Sequence, residues 1–211
     1  MSPSRVSTTQ SPDILRPMNL YDEAEFEELL KQRVICGWNN QPANIVRWRE
    51  MMDSKQKSLF WIVLPDTNTR VGHISLDCAT DPPDLELANP DKSVLTISTF
   101  FILPEYRSTG LGRLAMDVME DLATKEPYGS PNCRAIAVHT LDRRYTEGDS
   151  EEWRKWAKLR QGQLPPKGRS TEDWYARRGY VKWREEPRYP EKTLDGQDIL
   201  LNAVFLRKRL Q

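Results

Sequence analysis

The sequence predicts an α+β (mixed α/β) fold, a mixed sheet flanked by helices. Three observations carry this. Strand-like runs outnumber helical ones along the 211 residues. The first long strand pair, Leu59–Leu64 and Arg70–Asp77, is joined by the short turn Asp66-Thr-Asn-Thr. A turn that short makes an antiparallel hairpin, whereas a parallel crossover needs a dozen residues or more. With strands in excess and the early ones hairpin-linked, a doubly wound parallel sheet is the poorer fit.

Each element has its own signal. Ile14–Met18 is a short apolar run and reads as a first strand. From Tyr21 to Val34, the residues Phe26, Leu29, Leu30, Arg33 and Val34 recur at helical spacing. Acids crowd its first turn, where the helix dipole favours them. A second helix is predicted over Pro42–Met52, with Asn40 or Gln41 at the cap and Ile45, Trp48 and Met52 on one face. Residues 79–92, with Pro82-Pro83 and Asn89-Pro90, read as a polar loop. Ser93–Leu103 is the longest β-like run, rich in Thr, Ile, Val and Phe. Leu111, Ala115, Val118, Met119 and Leu122 then form one apolar helical stripe. Cys133–Leu141 is a further strand, and residues 142–169 form a charged segment with a helix of its own. Thr171–Arg178 is a short helix stopped by Gly179. Tyr180–Arg184 and Ile199–Arg207 are the last strands, joined by a loop holding Pro187, Pro190 and Asp195-Gly196.

Composition excludes several classes of function. Lys plus Arg number 31 and Asp plus Glu 31, so the formal net charge is zero. A protein that binds nucleic acid by bulk charge carries a net basic surface, which this chain lacks. The three cysteines, Cys36, Cys78 and Cys133, form no CxxC pair, so zinc-ribbon and redox motifs have no support and no metal is expected. Free thiols suit a reducing compartment, and the expected location is cytoplasmic. Residues 1–12 are rich in Ser, Thr and Pro without an apolar core, which reads as a disordered leader. Even the most apolar run falls well short of the roughly 20 residues that cross a bilayer, so no membrane association is expected.

The stretch that points to chemistry is Arg107-Ser-Thr-Gly-Leu-Gly-Arg113, set between a strong strand and a strong helix. A helix start offers unpaired backbone N–H groups and the positive end of the dipole. Glycines let a ligand approach that backbone, and two arginines add charge. The combination suits a phosphate or pyrophosphate. A Walker A loop is excluded, because the spacing and the Lys are missing. Gly110-Leu-Gly-Arg-Leu-Ala115 matches a dinucleotide fingerprint formally, yet no acidic residue ends a following strand at the required distance.

Ile102-Leu-Pro-Glu-Tyr-Arg-Ser-Thr-Gly-Leu-Gly112 resembles the acyl-CoA motif of the GNAT superfamily of acyl-CoA-dependent N-acyltransferases. Downstream, Trp174-Tyr-Ala-Arg-Arg-Gly-Tyr180 is similar to that family's Phe-Tyr-x-x-x-Gly-Phe segment. The order of elements around both also agrees, over roughly residues 13–210. The resemblance implies a mostly antiparallel, twisted sheet of about seven strands, splayed between strands 4 and 5, here Ser93–Leu103 and Cys133–Leu141. It implies one domain over 13–211 with an insert at about 142–169.

It also implies acetyl-CoA as co-substrate and an amine as acceptor, in a monomer or homodimer. The pyrophosphate would sit on Arg107, Ser108, Thr109, Gly110, Leu111 and Gly112, with Arg113 nearby. The pantetheine arm would pair with Phe101, Ile102 and Leu103. Tyr175 matches the tyrosine that gives a proton to the leaving thiolate. Many relatives carry a Glu on strand 4, where this chain has Thr96, Ser98 and Thr99. Candidates for the base are then His73, His139, Asp142 and Glu86, of which His139 is best placed. Acids at 77, 81, 84 and 86 could meet a cationic amine, and Trp153, Trp156 and Ala157 could wall the acceptor site. The expected activity is acetyl transfer to a small-molecule primary amine. The alternatives are a protein N-terminal or lysine acetyltransferase and a CoA-binding sensor that has lost turnover.

Overall fold

A computed structural model describes residues 13–147, 170–192 and 196–210. The expected leader and the helix carrying Trp153, Trp156 and Ala157 lie outside the described residues. Among those described, the chain opens with β1 (Leu15–Pro17), α1 (Glu23–Cys36), α2 (Pro42–Asp53), β2 (Lys57–Val63) and β3 (Arg70–Asp77). Then come β4 (Val94–Thr96), β5 (Phe100–Ile102), a 3₁₀ turn at Pro104–Tyr106 and α3 (Leu111–Leu122). The rest is β6 (Ala135–Leu141), a 3₁₀ turn at Arg143–Tyr145, α4 (Thr171–Arg177), β7 (Val181–Lys192) and β8 (Asp198–Arg209). The elements sort into two compact units, one of residues up to Asp77 with Thr99–Pro131, the other of Cys78–Ser98 with residues from Asn132 onward.

In the first unit, β1, β2 and β3 pair antiparallel in chain order, with Leu15 opposite Ile62 and Phe60 opposite Ile74. β5 adds to β3 antiparallel, with Gly72 opposite Ile102. The Asp22 side chain accepts from Glu25 N–H to start α1, and Gly37 at φ 84° ends it. Leu29, Ile45, Trp48, Leu59 and Trp61 form the core between these helices and strands. On the expected face of α1 Arg33 is buried, but Val34 is 58% exposed, and Gln32 turns inward instead.

That inversion has a reason in β3. The sequence alternates there, as a strand with one wet face would, but every residue from Val71 to Asp77 is buried. Both faces are covered, so its polar residues need partners inside the protein. Lys57 Nζ lies 2.7 Å from Asp77 Oδ2, with both side chains 1% exposed. The ammonium also reaches Ser75 Oγ at 3.2 Å and Thr99 Oγ1 at 3.4 Å. Burial pulls the Lys57 pKa down, and Asp77 pulls it back up.

In the second unit, β4 runs parallel to β6, β6 antiparallel to β8, and β8 antiparallel to β7. Ser170 caps α4 by accepting from Asp173 N–H. Leu87, Ala137, Ala203 and Phe205 make the core.

The fold class is the expected one, and the recorded pairings within the units are antiparallel except β4 with β6. Two boundaries are corrected. Ser93–Leu103 is two short strands, which raises the strand number from about seven to eight. β7 was expected to stop at Arg184, but it runs to Lys192, through Pro187 and Pro190. Within its unit β7 pairs with β8 alone, and an edge strand tolerates a proline that has no N–H to give. The register shifts between Pro187 and Tyr189, a bulge that lets pairing continue past the first proline.

At Gly72 the β5 backbone leaves no room for a side chain on β3. A Cβ there would lie 2.3 Å from Phe101 O and 3.0 Å from Ile102 Cα, both backbone atoms. Gly72→Ala is expected to cost about 1–3 kcal/mol in urea unfolding, the usual range for forced overpacking. A variant within about 0.5 kcal/mol of wild type would contradict this packing.

Candidate functional site

The loop singled out in the sequence lies in the first unit, on exposed backbone. The Pro104–Tyr106 turn follows β5, and Tyr106 N–H donates to Leu103 O at 3.0 Å. Arg107 folds back, donating from Nε to Ile102 O at 2.9 Å, with its guanidinium 5.4 Å from the Phe101 ring centroid. Ser108 takes φ 64° and Gly110 φ 91°, two left-handed positions that reverse the chain within three residues. Thr109 Oγ1 donates to Tyr106 O at 2.7 Å and fixes the reversal. Gly110 is the N-cap of α3, and no side chain caps that helix. Its first-turn N–H groups lack intrahelical acceptors by construction. A Cβ on Gly110 would meet no atom within 4 Å, so glycine is needed there for φ rather than for space. The structure therefore gathers Phe101, Ile102, Leu103, Arg107, Ser108, Thr109, Gly110, Leu111, Gly112 and Arg113 into one continuous strand–turn–helix segment. Its shape and charge suit a pyrophosphate.

Tyr175 and His139 lie in the second unit. Tyr175 is 5% exposed on α4, edge-on to Trp174 at 5.0 Å and to Tyr180 at 5.3 Å between ring centroids. Burial lifts its phenol well above the ordinary value, and Arg178 pulls weakly the other way. His139 sits on β6 with Nδ1 2.7 Å from Tyr189 Oη. The Tyr189 and Phe205 rings each lie 5.7 Å from the imidazole. Tyr189 is held protonated by burial, and its hydroxyl senses Tyr175. Sequence reading missed Tyr189, because it lies between Pro187 and Pro190 and was assigned to a loop. The aromatic residue at a strand position, opposite Leu201, was the available signal.

The other base candidates are committed elsewhere. His73 is fully buried, with Nδ1 2.9 Å from Gln32 Oε1 and Nε2 3.3 Å from Arg33 Nη1. Asp142 caps the Arg143–Tyr145 turn and pairs with Arg144 at 3.0 Å. Glu86 pairs with Arg184 at 3.0 Å, and Asp84 pairs with the same guanidinium. Of the acids suggested to meet an amine, Asp77 holds Lys57, and Asp84 and Glu86 hold Arg184. Among the described residues, no group of three metal-type side chains is assembled, and no helix is long and apolar enough to cross a membrane.

A model of the acetyltransferase (GNAT) family matches residues 19–144. Among solved structures, the chain is similar to the ribosomal-protein-S5-alanine acetyltransferase of Vibrio fischeri. The TM-score is 0.55 at 14% identity, covering 92% of this chain and 91% of that one. It is similar to NAA60 of Arabidopsis thaliana in complex with acetyl-CoA, with TM-score 0.57, 14% identity and coverage of 93% and 97%. It is also similar to an aminoglycoside 6′-N-acetyltransferase complexed with coenzyme A, with TM-score 0.55, 13% identity and coverage of 93% and 96%. At such identities the likeness shows the fold. No curated protein matches the sequence.

The environment of His139 makes a prediction about stability. Burial first, then Arg188, push its pKa down to about 4, against an upward pull from Asp84 that exceeds the remaining downward push of Arg184. An unfolded histidine titrates near 6.5. As pH falls below that value, the unfolded chain takes the proton first, so stability drops between about pH 6.5 and 4. The contribution is about 3 kcal/mol at most. His139→Gln is expected to flatten the decline in unfolding free energy between pH 7 and 4.5. Curves that stay parallel would show that His139 does not carry it.

Proposed function

The chain belongs to the acetyltransferase (GNAT) family, and from that premise we propose that it moves an acetyl group from acetyl-CoA to a small-molecule primary amine. The amine would attack the thioester directly, within a ternary complex. The observation that carries this reading is the segment 101–113. An uncapped helix start follows two left-handed residues, with Arg107 and Arg113 beside it. Its amides would hold the pyrophosphate, with the dipole and both arginines opposing the phosphate charge. Phe101–Leu103 would give the pantetheine amides a strand edge.

The attack forms a new C–N bond and a tetrahedral oxyanion. The nitrogen gives up its surplus proton to solvent, and collapse of the oxyanion breaks the C–S bond and expels a thiolate. Tyr175 is proposed to supply the proton to that sulfur. Its raised pKa keeps the phenol protonated at neutral pH. General acids of this kind contribute about 10²–10⁴-fold in rate.

One observation keeps a second reading alive. The family resemblance implies a carboxylate on the strand that here holds Thr96 and Thr99; both are buried, and the Thr96 hydroxyl is spent on Ala137 O at 3.0 Å. A chain that binds CoA without turnover would fit that substitution.

One experiment separates the two. Acetyl-CoA should raise the melting temperature, and thiol release should follow on addition of one amine from a panel of spermidine, an aminoglycoside and a peptide with a free N-terminus. Tyr175→Phe should lower that turnover about 10²-fold with acetyl-CoA affinity within about twofold of wild type. Stabilisation without thiol release on any amine would favour the sensor. No stabilisation would remove the loop assignment, and unchanged turnover in Tyr175→Phe would remove the acid.

A further inference from the structure

We propose that His139 works as a neutral hydrogen-bond donor through Nε2–H, and that Tyr189 is the positioning residue that holds it in that tautomer. This deepens the transferase reading and rests on it only for what Nε2 meets. The geometry is the 2.7 Å contact between His139 Nδ1 and Tyr189 Oη. Either atom could in principle be the donor. A phenol O–H is a far stronger acid than a neutral imidazole N–H, and imidazole nitrogen is a far stronger base than phenol oxygen. The strong direction is therefore Tyr189 O–H to Nδ1. With Nδ1 accepting, the one proton of the neutral ring stands on Nε2.

The charged and titratable neighbours agree with a ring that stays neutral. Arg188 and Arg184 face it from β7, against the single carboxylate of Asp84 from residues 78–93. Tyr175 of α4 acts on Tyr189 rather than on the imidazole. Phe205 of β8 presents a ring without a titratable group, 5.7 Å from the imidazole.

The chain has two histidines, and the other supplies an internal contrast. His73 Nε2 lies 3.3 Å from Arg33 Nη1, which can only donate, and its Nδ1 lies 2.9 Å from Gln32 Oε1. His73 must therefore carry its proton on Nδ1. The two rings hold opposite tautomers, each set by one neighbour. A base at Nε2 requires the tautomer of His73. A ring with Nε2–H instead offers a fixed donor to a carbonyl or carboxylate oxygen of a bound substrate, without adding charge.

Two-bond ¹H–¹⁵N correlation spectra of the labelled full chain at pH 7 decide the matter. We expect Nε2–H for His139 and Nδ1–H for His73. Tyr189→Phe should mix the His139 tautomers and raise its titration midpoint, near pH 4 in wild type, by at least about half a pH unit, because the bond to the neutral form is gone. With the acceptor that gives most thiol release in the panel above, His139→Gln, which keeps an N–H donor, should retain turnover within about tenfold. His139→Ala should raise the KM for the amine more than it lowers kcat. An Nδ1–H tautomer for His139 in wild type would overturn the proposal, and that measurement stands even if Tyr189→Phe fails to fold. A midpoint unmoved in Tyr189→Phe would overturn the positioning role. Absence of turnover on every amine would sink the transferase reading and leave the tautomer result standing.

Discussion

Ile97 N–H donates to Ala137 O at 3.0 Å, and two residues later Thr99 O accepts from Ser75 N–H at 2.8 Å. Between these bonds the chain changes partner. β4 lies beside β6 with Thr96 opposite Ala137, and β5 lies beside β3 with Phe100 opposite Ile74. The backbone groups of a buried run must be paired, so leaving one partner obliges the chain to find another. β3 supplies it, and only because Gly72 lets Phe101 O approach to a distance no side chain would allow. The position of the Pro104–Tyr106 turn, the reversal at Ser108 and Gly110, and the start of α3 all follow from where β5 is fastened.

The interior beneath β3 is polar because both faces of that strand are covered. Lys57 reaches Ser75, Asp77 and Thr99, while Gln32, His73 and Arg33 form a second group tied to Trp38 O at 2.8 Å. Buried charges of this kind add little net stability when paired, but they cost several kcal/mol when one partner is removed. They fix register more than they strengthen the fold: a slip of one residue in β3 would turn His73, Ser75 and Asp77 away from these partners.

Much of this was legible in the sequence. Helical stripes placed α1 to α3, the stop of α4 at Gly179 was visible, and the loop 107–113 announced itself by its glycines and arginines. Illegible features share a cause. Whether a strand is covered on one face or two depends on what packs over it, so β3 read as half-wet. A proline reads as a break unless the strand is known to be an edge, so β7 read as ending at Arg184 and Tyr189 was hidden. A run of β-formers carries no mark of where it changes partner, so β4 and β5 read as one strand. Each is a tertiary constraint overriding a local signal.

The central claim is that the backbone amides of residues 108–113 hold the pyrophosphate of acetyl-CoA. Hydrogen–deuterium exchange, resolved to single amides with and without saturating acetyl-CoA, tests it most directly. Ordering of those N–H groups against phosphate oxygens predicts exchange at least about tenfold slower at Leu111, Gly112 and Arg113, with a smaller change along α3 beyond Ala115. Exchange at those three amides unchanged by the ligand, with protection appearing elsewhere or nowhere, would contradict it.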